Sequence, residues 1–565
     1  MLVLLAAAMV HMALRPLMHK PLLTDEVESV KVALAIGKLG VPVIEVGSEK
    51  QVIFHHSRVY HHMLATIFGW LGEGEFNARL LGLCCYLVNA LLVWLITTIL
   101  AAEQKILWAP FWATLFYLIS PLAVQGSVLV DIDTTILTVC STLFLYYLIS
   151  TMRKPLPYQG VTLGALWGLC LMVKGTTSLL LGPLAALAQT HGHEAKKRWI
   201  LASKIIFTGL LIYVTFSLIY SHSRGLDPLW PITHKVTRIF SALSGEDSHL
   251  IISWVKRTLR IALWISPFAF LLYLAALRDS WQSFLKQRRL DGRMLLALYT
   301  LIVLVVYIAL KGSGYGFPRY HLPMLPAMCA LIGLQIGQLS LTSRQIIGAL
   351  VLVVLQLAYY FQLNTDFFYA AYTFHEHTIL APESMPDAAV GLAMTGLAYL
   401  FPFFGAGVVF YLLRLRGVAL FMLAAVVVFV PLSIWQIFVQ KNNAYATNYM
   451  YGERGIREAA VFLRDTVESD ERIICPTDLA YYLERKQAYL SASEVFSDNS
   501  VGRLLADRRI RALAFRDGFF AHLHFGRTVK KLQPLLDKSF ELHRIGSFFI
   551  YLRQQEQHED CLLRN

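Results

Sequence analysis

The chain has 565 residues, of which 56% are hydrophobic and only 15% are charged, and its mean hydropathy is +0.54. Apolar runs of about 17–25 residues recur up to about Lys441, and each is long enough to cross the hydrocarbon core of a bilayer. A large soluble all-helical protein is excluded, because its helices would need polar faces that these runs lack. The formal charge of +13 does not indicate nucleic-acid binding, since the basic residues are scattered between apolar segments.

The apolar segments, taken in chain order, predict about 13 membrane-spanning helices. The first is the short run 1–14, and a polar stretch follows it from about residue 20 to residue 79. Further spans are predicted at about 80–100, 107–125, from Asp133 to about 151, 160–174, 176–190, 199–220, 258–277, 294–310, 320–339, 345–363, 388–413 and 417–439. The sequence therefore predicts a polytopic α-helical membrane protein.

Basic residues in the loops predict the orientation of these spans. The loop at about 278–293 is the most basic, and the positive-inside rule places it in the cytoplasm. Since each span reverses the side, the 20–79 stretch, the loop around Asp133, Lys174, the loop at 311–321 and the C-terminal tail all fall outside. The predicted location is therefore the inner (plasma) membrane, with every candidate catalytic residue on the extracytoplasmic face.

From about Asn442 the composition becomes that of a soluble domain. Apolar residues recur with helical spacing over 455–467, and strands are predicted at 472–475, 510–515 and on both sides of Gly546-Ser547. Short helices are predicted at 478–484 and 501–508. This alternation predicts two domains, a membrane domain over residues 1–441 and an extracytoplasmic α/β domain over residues 442–565.

Acidic, basic and imidazole groups are concentrated in the polar stretch 20–79. It opens with Thr24-Asp25-Glu26 and continues through the histidine-rich segment 54–62, which includes Arg58. A carboxylate at membrane depth costs about 2.5–3.5 kcal/mol or more unless it is paired or lines a wet cavity. The stretch is therefore predicted to form the floor of an active site at a membrane surface.

Short motifs follow one another in a fixed order between about residues 20 and 340. They are Thr24-Asp25-Glu26, Glu75-Phe76-Asn77-Ala78-Arg79-Leu80, Asp133, Leu171-Met172-Val173-Lys174-Gly175 and the run from Pro318-Arg319-Tyr320 to Pro326. In this order they resemble the GT-C glycosyltransferases, in particular the branch of the protein O-mannosyltransferases and the lipid A aminoarabinose transferase. One departure follows His56, where many members carry paired prolines and this chain has Ser57-Arg58.

The resemblance implies an enzyme that moves one sugar from a polyprenyl-phosphate donor to a hydroxyl or phosphate of a lipid, polysaccharide or protein acceptor. Asp25 is then expected to act as the general base of an in-line displacement that inverts the anomeric centre. Glu26 is expected to orient it, or to be an acid in the first turn of a helix. Asp133 is expected to assist or to hold a cation, or else to cap the following helix. Asp131 is a further candidate.

Five residues are expected to bind the donor phosphate. Lys174 and Arg319 supply fixed positive charge for the leaving phosphate, and arginine can bind phosphate in a bidentate manner. Their alternative role is to extend towards lipid headgroups from the ends of membrane helices. Arg58, Tyr60 and Tyr320 are the other candidates, although tyrosine at a membrane interface is equally typical of an aromatic belt.

Histidines in the 54–62 segment raise the question of a metal ion. His55, His56, His61 and His62, with Asp25, could hold a divalent ion that neutralises the phosphate, and His55 and His56 are the first candidates. Two adjacent pairs of histidines do not have an established ligand spacing, however, and such residues are more often polar loop residues or hydrogen-bonding residues at helix starts.

Two other functional classes remain open from the residues alone. One is a non-catalytic lipid or solute transporter or flippase, although no internal repeat is evident and the polar residues cluster outside the spans. The other is a structural or binding protein on the same scaffold, with the tail as its working part. Membrane lipids are expected partners in every case.

Overall fold

A computed structural model describes most of the chain. The described residues are 3–10, 21–22, 25–46, 49–52, 58–190, 195–223, 250–288, 290–309, 319–363, 370, 374, 382–440, 455–468, 470–483, 489–490, 509–516, 536, 539–546 and 548–554. These residues are mostly helical, and a small sheet lies near the C-terminus. The predicted helix at 501–508 lies outside them.

The polar stretch before residue 79 folds into a helical layer. Helix α1 (Asp25–Leu39) leads into a two-stranded hairpin, β1 (Val43–Val46) and β2 (Glu49–Val52), and helix α2 (Arg58–Leu71) follows. Apolar side chains from α1 and α2 are buried together with Ala78, Leu81 and Ile136, so the layer packs on the helices that follow it. The hairpin is absent from the sequence-based prediction, because its strands are only four residues long and contain Glu and Lys residues, which are uncommon in strands.

Fifteen further helices make up the membrane part as described. They are α3 (Glu75–Gln104), α4 (Ala109–Leu118), α5 (Pro121–Ser127), α6 (Ile136–Arg153), α7 (Gln159–Val173), α8 (Gly175–Ser178), α9 (Leu181–Thr190), α10 (Ala195–Ser223), α11 (Leu250–Ile265), α12 (Pro267–Gln287), α13 (Gly292–Ala309), α14 (Leu325–Gly337), α15 (Ser343–Gln362), α16 (Met385–Leu412) and α17 (Gly417–Gln440). A 3-10 helix at Arg319–Met324 leads directly into α14, and a shorter one at Pro382–Ser384 precedes α16.

The predicted number of about 13 spans is not confirmed. Within the described ranges, seven helices are long and apolar enough to cross a membrane, or eight if the bent pair α11–α12 is one span. That pair turns by 104° at Ser266, and the predicted span at 107–125 is divided by Ser120 and Pro121 into α4 and α5. Most of the predicted basic loop at 278–293 is helical, since α12 continues to Gln287 without a helix-breaking residue after Arg278.

Glycines allow some of these helices to approach closely. A Cβ atom at Gly164 or Gly168 of α7 would lie 2.7 or 2.9 Å from a backbone oxygen of α10. Gly209 of α10 faces the Trp167 ring of α7 in the same way, at 2.2 Å from a ring carbon. Small residues at such crossings let backbones pack in van der Waals contact, which helps helix association inside a bilayer. Since α7 ends beside Lys174, this contact also sets the position of that residue.

The segment after α5 packs against α3 at Gly82. A Cβ atom there would lie 2.6 Å from the Ser127 carbonyl oxygen. We therefore expect Gly82→Ala to lower the free energy of unfolding by about 1–3 kcal/mol through overpacking. Chemical unfolding of the purified protein in detergent measures this effect. Gly391→Ala in α16 is the control, because nothing lies within 4 Å of its Cβ position. Equal stability of both variants would contradict the close approach.

Near the C-terminus a five-stranded mixed sheet packs with two helices. The helices are α18 (Ile456–Thr466) and α19 (Thr477–Leu483), and the strands are β3 (Arg472–Ile474), β4 (Tyr489–Leu490), β5 (Ile510–Arg516), β6 (Phe540–Ile545) and β7 (Phe548–Arg553). Their order is β4-β3-β5-β7-β6, with β3 parallel to β4 and β5 and the other pairs antiparallel. This sheet region confirms the predicted α/β class, and the domain division at 441/442 stays a prediction.

Candidate active site

Lys174 lies at the break between α7 and α8 and forms an ion pair with Asp133. Its Nζ atom donates to Asp133 Oδ1 at 2.6 Å and to Oδ2 at 2.5 Å. The lysine side chain is 24% exposed, whereas the aspartate side chain is only 3% exposed. The carboxylate therefore holds the ammonium from the more deeply buried side of the pair.

Arg319 makes the second ion pair of the same kind. Its Nη1 atom donates to Asp131 Oδ2 at 2.9 Å, and the two side chains are 20% and 12% exposed. The other oxygen of Asp131 accepts the backbone N–H of Asp133 at 2.8 Å and that of Thr134 at 3.3 Å. Asp131 therefore shapes the turn before α6, a role that was predicted as an alternative for Asp133. The Asp133 side chain instead faces Lys174.

The ring of Tyr320 lies beside both cations. Lys174 Nζ is 4.3 Å and the Arg319 guanidinium carbon 5.1 Å from the ring centroid. The opposite side of the ring is supported by Tyr307, stacked at 5.5 Å with an interplanar angle of 6°. Tyr307 is in turn in contact with Thr177 through a short hydroxyl–hydroxyl hydrogen bond. An aromatic face attracts cations, so Tyr320 helps to keep two like charges close together.

Glu26 forms a buried ion pair with Arg79, the residue one turn into α3. Arg79 Nη2 donates to Glu26 Oε2 at 3.0 Å, and the two side chains are 0% and 2% exposed. Arg79 Nη2 also donates to the Pro21 carbonyl at 2.9 Å, and Glu26 Oε1 accepts the backbone N–H of Val130 at 3.1 Å. Glu26 therefore joins α1, α3 and the segment that leads to Asp131.

Asp25 and Arg58 are the first residues of α1 and α2, and for both the structure describes the backbone. Asp25 directly precedes Glu26, whose side chain is bonded to the residue before Asp131. Tyr60 of α2 is fully buried, and burial together with the nearby charges of Asp131 and Glu26 raises the pKa of its hydroxyl. The start of α1, the Asp131 turn and α2 thus meet at one place.

Arg79 is expected to be essential for stability. Its loss would leave the Glu26 carboxylate buried without its cation, so Arg79→Met should lower the free energy of unfolding by about 3–5 kcal/mol. Lys38→Met is the matched control, because the Lys38–Glu73 pair spans 3.4 Å with both side chains more than half exposed. Its expected cost is about 0–1 kcal/mol. Similar losses from both substitutions in chemical unfolding would contradict a buried pair at Arg79.

Burial and the neighbouring positive charges shift the pKa of Asp133 in opposite directions. Burial raises the pKa of its carboxyl group above the ordinary value, and the Lys174 ammonium, with a smaller contribution from Arg319, acts against that shift. The ionised carboxylate therefore depends on the cations beside it. The same dependence explains why Asp133 and Lys174 occur together: neither charge is well tolerated alone in this setting.

The metal site suggested by the histidines gains no structural support from neighbouring groups. His55 and His56 lie outside the described residues. Elsewhere in the described ranges, no three His, Cys, Asp or Glu side chains are grouped so that they could hold a metal ion. Asp131 and Asp133 are each bonded to a basic side chain.

Two residues that shape this site are not among the predicted site residues. Arg79 lies in one of the short motifs, and a charged residue at the start of an apolar helix is itself a signal of a buried partner. Tyr307 had no such signal, because one tyrosine near the end of an apolar run does not differ from an interfacial aromatic residue.

Part of the chain matches a known protein family. Residues 55–220 match the family model described as dolichyl-phosphate-mannose-protein mannosyltransferase. That segment contains Arg58, Tyr60, Arg79, Asp133 and Lys174. No curated protein sequence matches the chain.

Solved structures share the fold over almost the whole chain. ArnT from Cupriavidus metallidurans bound to undecaprenyl phosphate is similar with a TM-score of 0.57 and 14% identity, over 98% of both chains. Its apo state gives a TM-score of 0.57 and 15% identity, over 97% of both. The Archaeoglobus fulgidus oligosaccharyltransferase in complex with zinc and sulfate gives 0.52 and 12%, over 98% of this chain and 73% of that one. At these identities the likeness is one of fold.

Proposed function

We propose that this chain, which has the GT-C glycosyltransferase fold and whose residues 55–220 match the protein mannosyltransferase family, transfers a single sugar from a polyprenyl-phosphate donor to an acceptor. The pair of cations at Lys174 and Arg319 carries this proposal. Their side chains are 24% and 20% exposed and both lie beside the Tyr320 ring, an arrangement suited to binding a phosphate group at a membrane surface. ArnT, which shares the fold, was crystallised with undecaprenyl phosphate.

The reaction requires a base on one face of the sugar and positive charge beside the leaving phosphate on the other. The acceptor oxygen attacks the anomeric carbon, while the bond from that carbon to the phosphate oxygen breaks. The leaving polyprenyl phosphate gains negative charge, which Lys174 and Arg319 stabilise by ion pairing and hydrogen bonding. Their positions are held in advance by Asp133, Asp131 and the Tyr320 ring, so little reorganisation accompanies bond breaking.

Asp25 is the proposed general base. It accepts the proton of the acceptor hydroxyl as that oxygen attacks, on the face of the sugar opposite the leaving phosphate, and the anomeric centre is inverted. Glu26 is assigned a different part: its carboxylate is occupied by Arg79 and the Val130 N–H, so it positions the start of α1 relative to the Asp131 turn. Arg58 and Tyr60 at the start of α2 are proposed to contribute to the donor pocket.

The site is proposed to open on the extracytoplasmic side of the inner membrane. The predicted topology supports this orientation, because it places the Lys/Arg-rich loops on the opposite side of the membrane from the acidic segments. A polyprenyl chain can then remain in the bilayer while its phosphate reaches Lys174 and Arg319 at the surface.

A deletion strain tests this function and identifies the sugar. We expect its polyprenyl lipids to accumulate a polyprenyl-phosphate monosaccharide and one envelope glycoconjugate to lose the same sugar, both detected by mass spectrometry. Expression of the wild-type chain should reverse both changes. Unchanged polyprenyl lipids and glycoconjugates would contradict the proposal, and a lipid confined to one leaflet without a missing sugar would favour a flippase.

A further inference from the structure

A tyrosine of the C-terminal region bonds directly to the segment that precedes Asp25. The hydroxyl oxygen of Tyr482, in α19, accepts the backbone N–H of Leu22 at 2.6 Å. The same hydroxyl donates to Glu75 Oε1 at 2.5 Å, and Arg457 of α18 donates to Glu75 Oε2 at 2.6 Å. Two helices next to the C-terminal sheet thus meet the first residue of α3 and the chain just before α1.

These contacts hold Pro21, Leu22 and Glu26, which lie on either side of Asp25 in the sequence. Arg79, one turn beyond Glu75 on α3, binds the Pro21 carbonyl and the Glu26 carboxylate. Tyr482 binds the Leu22 amide, which lies between those two attachment points. The Leu22 side chain is fully buried, so the segment is also anchored by packing. Asp25 therefore lies in the sequence between Leu22, which Tyr482 holds, and Glu26, which Arg79 holds.

We infer that Tyr482 is a positioning residue, through which the C-terminal region holds the Asp25 segment at the productive distance from the donor phosphate. This inference rests on the proposed function, since Asp25 is assigned there as the base. A small misplacement of a reacting group is enough to reduce turnover strongly while leaving substrate binding intact.

The hydrogen bonds of the Tyr482 hydroxyl to Leu22 and Glu75, called the bridge below, are of a kind that holds the chain in one position. Glu75 is a charged acceptor, and hydrogen bonds to charged groups are stronger than those between neutral groups. Burial and the bond to Glu75 raise the pKa of Tyr482, so its hydroxyl keeps the proton that it donates. The ring of Tyr482 also lies 6.0 Å from the Arg457 guanidinium, which keeps the three side chains together.

Tyr482→Phe in the full-length chain tests the inference, because it removes only the bridging hydroxyl. Three readouts are combined. Deuterium exchange at the Leu22 amide should become about tenfold faster, and product formation in membranes of the complemented deletion strain should fall about tenfold. The affinity for undecaprenyl phosphate, used alone as the probe, should change by less than about twofold. Glu73→Gln, an exposed acid two residues before Glu75, is the control and should alter none of these readouts.

A double-substitution cycle with Glu75→Gln completes the test. If the bridge acts as one unit, the double variant is no slower than the worse of the two single variants. Unchanged exchange at Leu22 in Tyr482→Phe would overturn the bridge, and faster exchange with wild-type product formation would overturn its role in positioning. Independent, multiplying losses would also overturn it. If Asp25→Asn proves fully active, the proposed base is wrong, but the exchange result still decides whether the bridge exists.

Discussion

Asp25→Asn is expected to reduce sugar transfer by about 10²–10⁴-fold, because an amide cannot accept the proton of the acceptor hydroxyl. The substitution keeps the size of the side chain, and Asp25 precedes the structurally important Glu26 without replacing it. Folding and donor binding should therefore be unchanged. The measurement is product formation by the purified variant in membranes or proteoliposomes supplied with the donor that accumulates in the deletion strain.

Asp387→Asn is the matched control for this result. Asp387 is an exposed acid in the first turn of α16, and its amide variant should retain wild-type activity. Full activity of Asp25→Asn would remove Asp25 from the mechanism. A loss of activity accompanied by a lower unfolding temperature would instead assign Asp25 to the structure of the α1 segment.

Arg319→Gln is expected to weaken donor binding by about ten- to a hundredfold. Glutamine can still donate a hydrogen bond to Asp131, so the turn before α6 should be retained, but the charge that binds the phosphate is lost. Hydrogen bonds to charged groups contribute about 1.5–3 kcal/mol, which corresponds to this range of affinity. Binding of undecaprenyl phosphate measures the effect, and acceptor binding should be unaffected.

The control for Arg319 is an arginine of the same chemistry away from the site. Arg153 at the end of α6 is half exposed and pairs with Glu103 at 3.8 Å, so Arg153→Gln should leave the affinity unchanged. Equal affinities of Arg319→Gln and the wild-type chain for undecaprenyl phosphate would contradict a phosphate site at Lys174 and Arg319. Arg319→Lys separates charge from geometry, because lysine cannot bind phosphate in the bidentate manner of arginine.

The general architecture was accessible from the sequence because the bilayer imposes a strong constraint. Long apolar runs predicted the polytopic helical fold. The motifs that contain Asp25, Asp133, Lys174 and Arg319 predicted site residues, and the structure brings three of these four side chains close together. Direct contacts pair Asp133 with Lys174, and Arg319 lies beside the same tyrosine ring. The tail strands near Gly546 were also predictable, because a hairpin with a glycine turn has a local signal.

Long-range pairings were not accessible from one sequence. The Glu26–Arg79 pair joins residues 53 positions apart, and nothing local identifies Glu26 as the partner of Arg79. The bond between Leu22 and Tyr482 crosses 460 positions, so only the folded chain shows it. The predicted number of spans is not confirmed, for a different reason. Breaks at Ser120 and Ser266 divide apolar runs that are continuous in composition, and hydrophobicity alone does not report a bend.

An experimental structure of the protein with undecaprenyl phosphate is the most direct measurement of how these segments work together. We expect the phosphate within about 3 Å of both Lys174 Nζ and the Arg319 guanidinium, with Asp25 facing the same cavity from the outer surface of the membrane. A phosphate bound away from these two cations, or an Asp25 side chain that opens onto the other leaflet, would contradict a shared site for donor binding and proton removal.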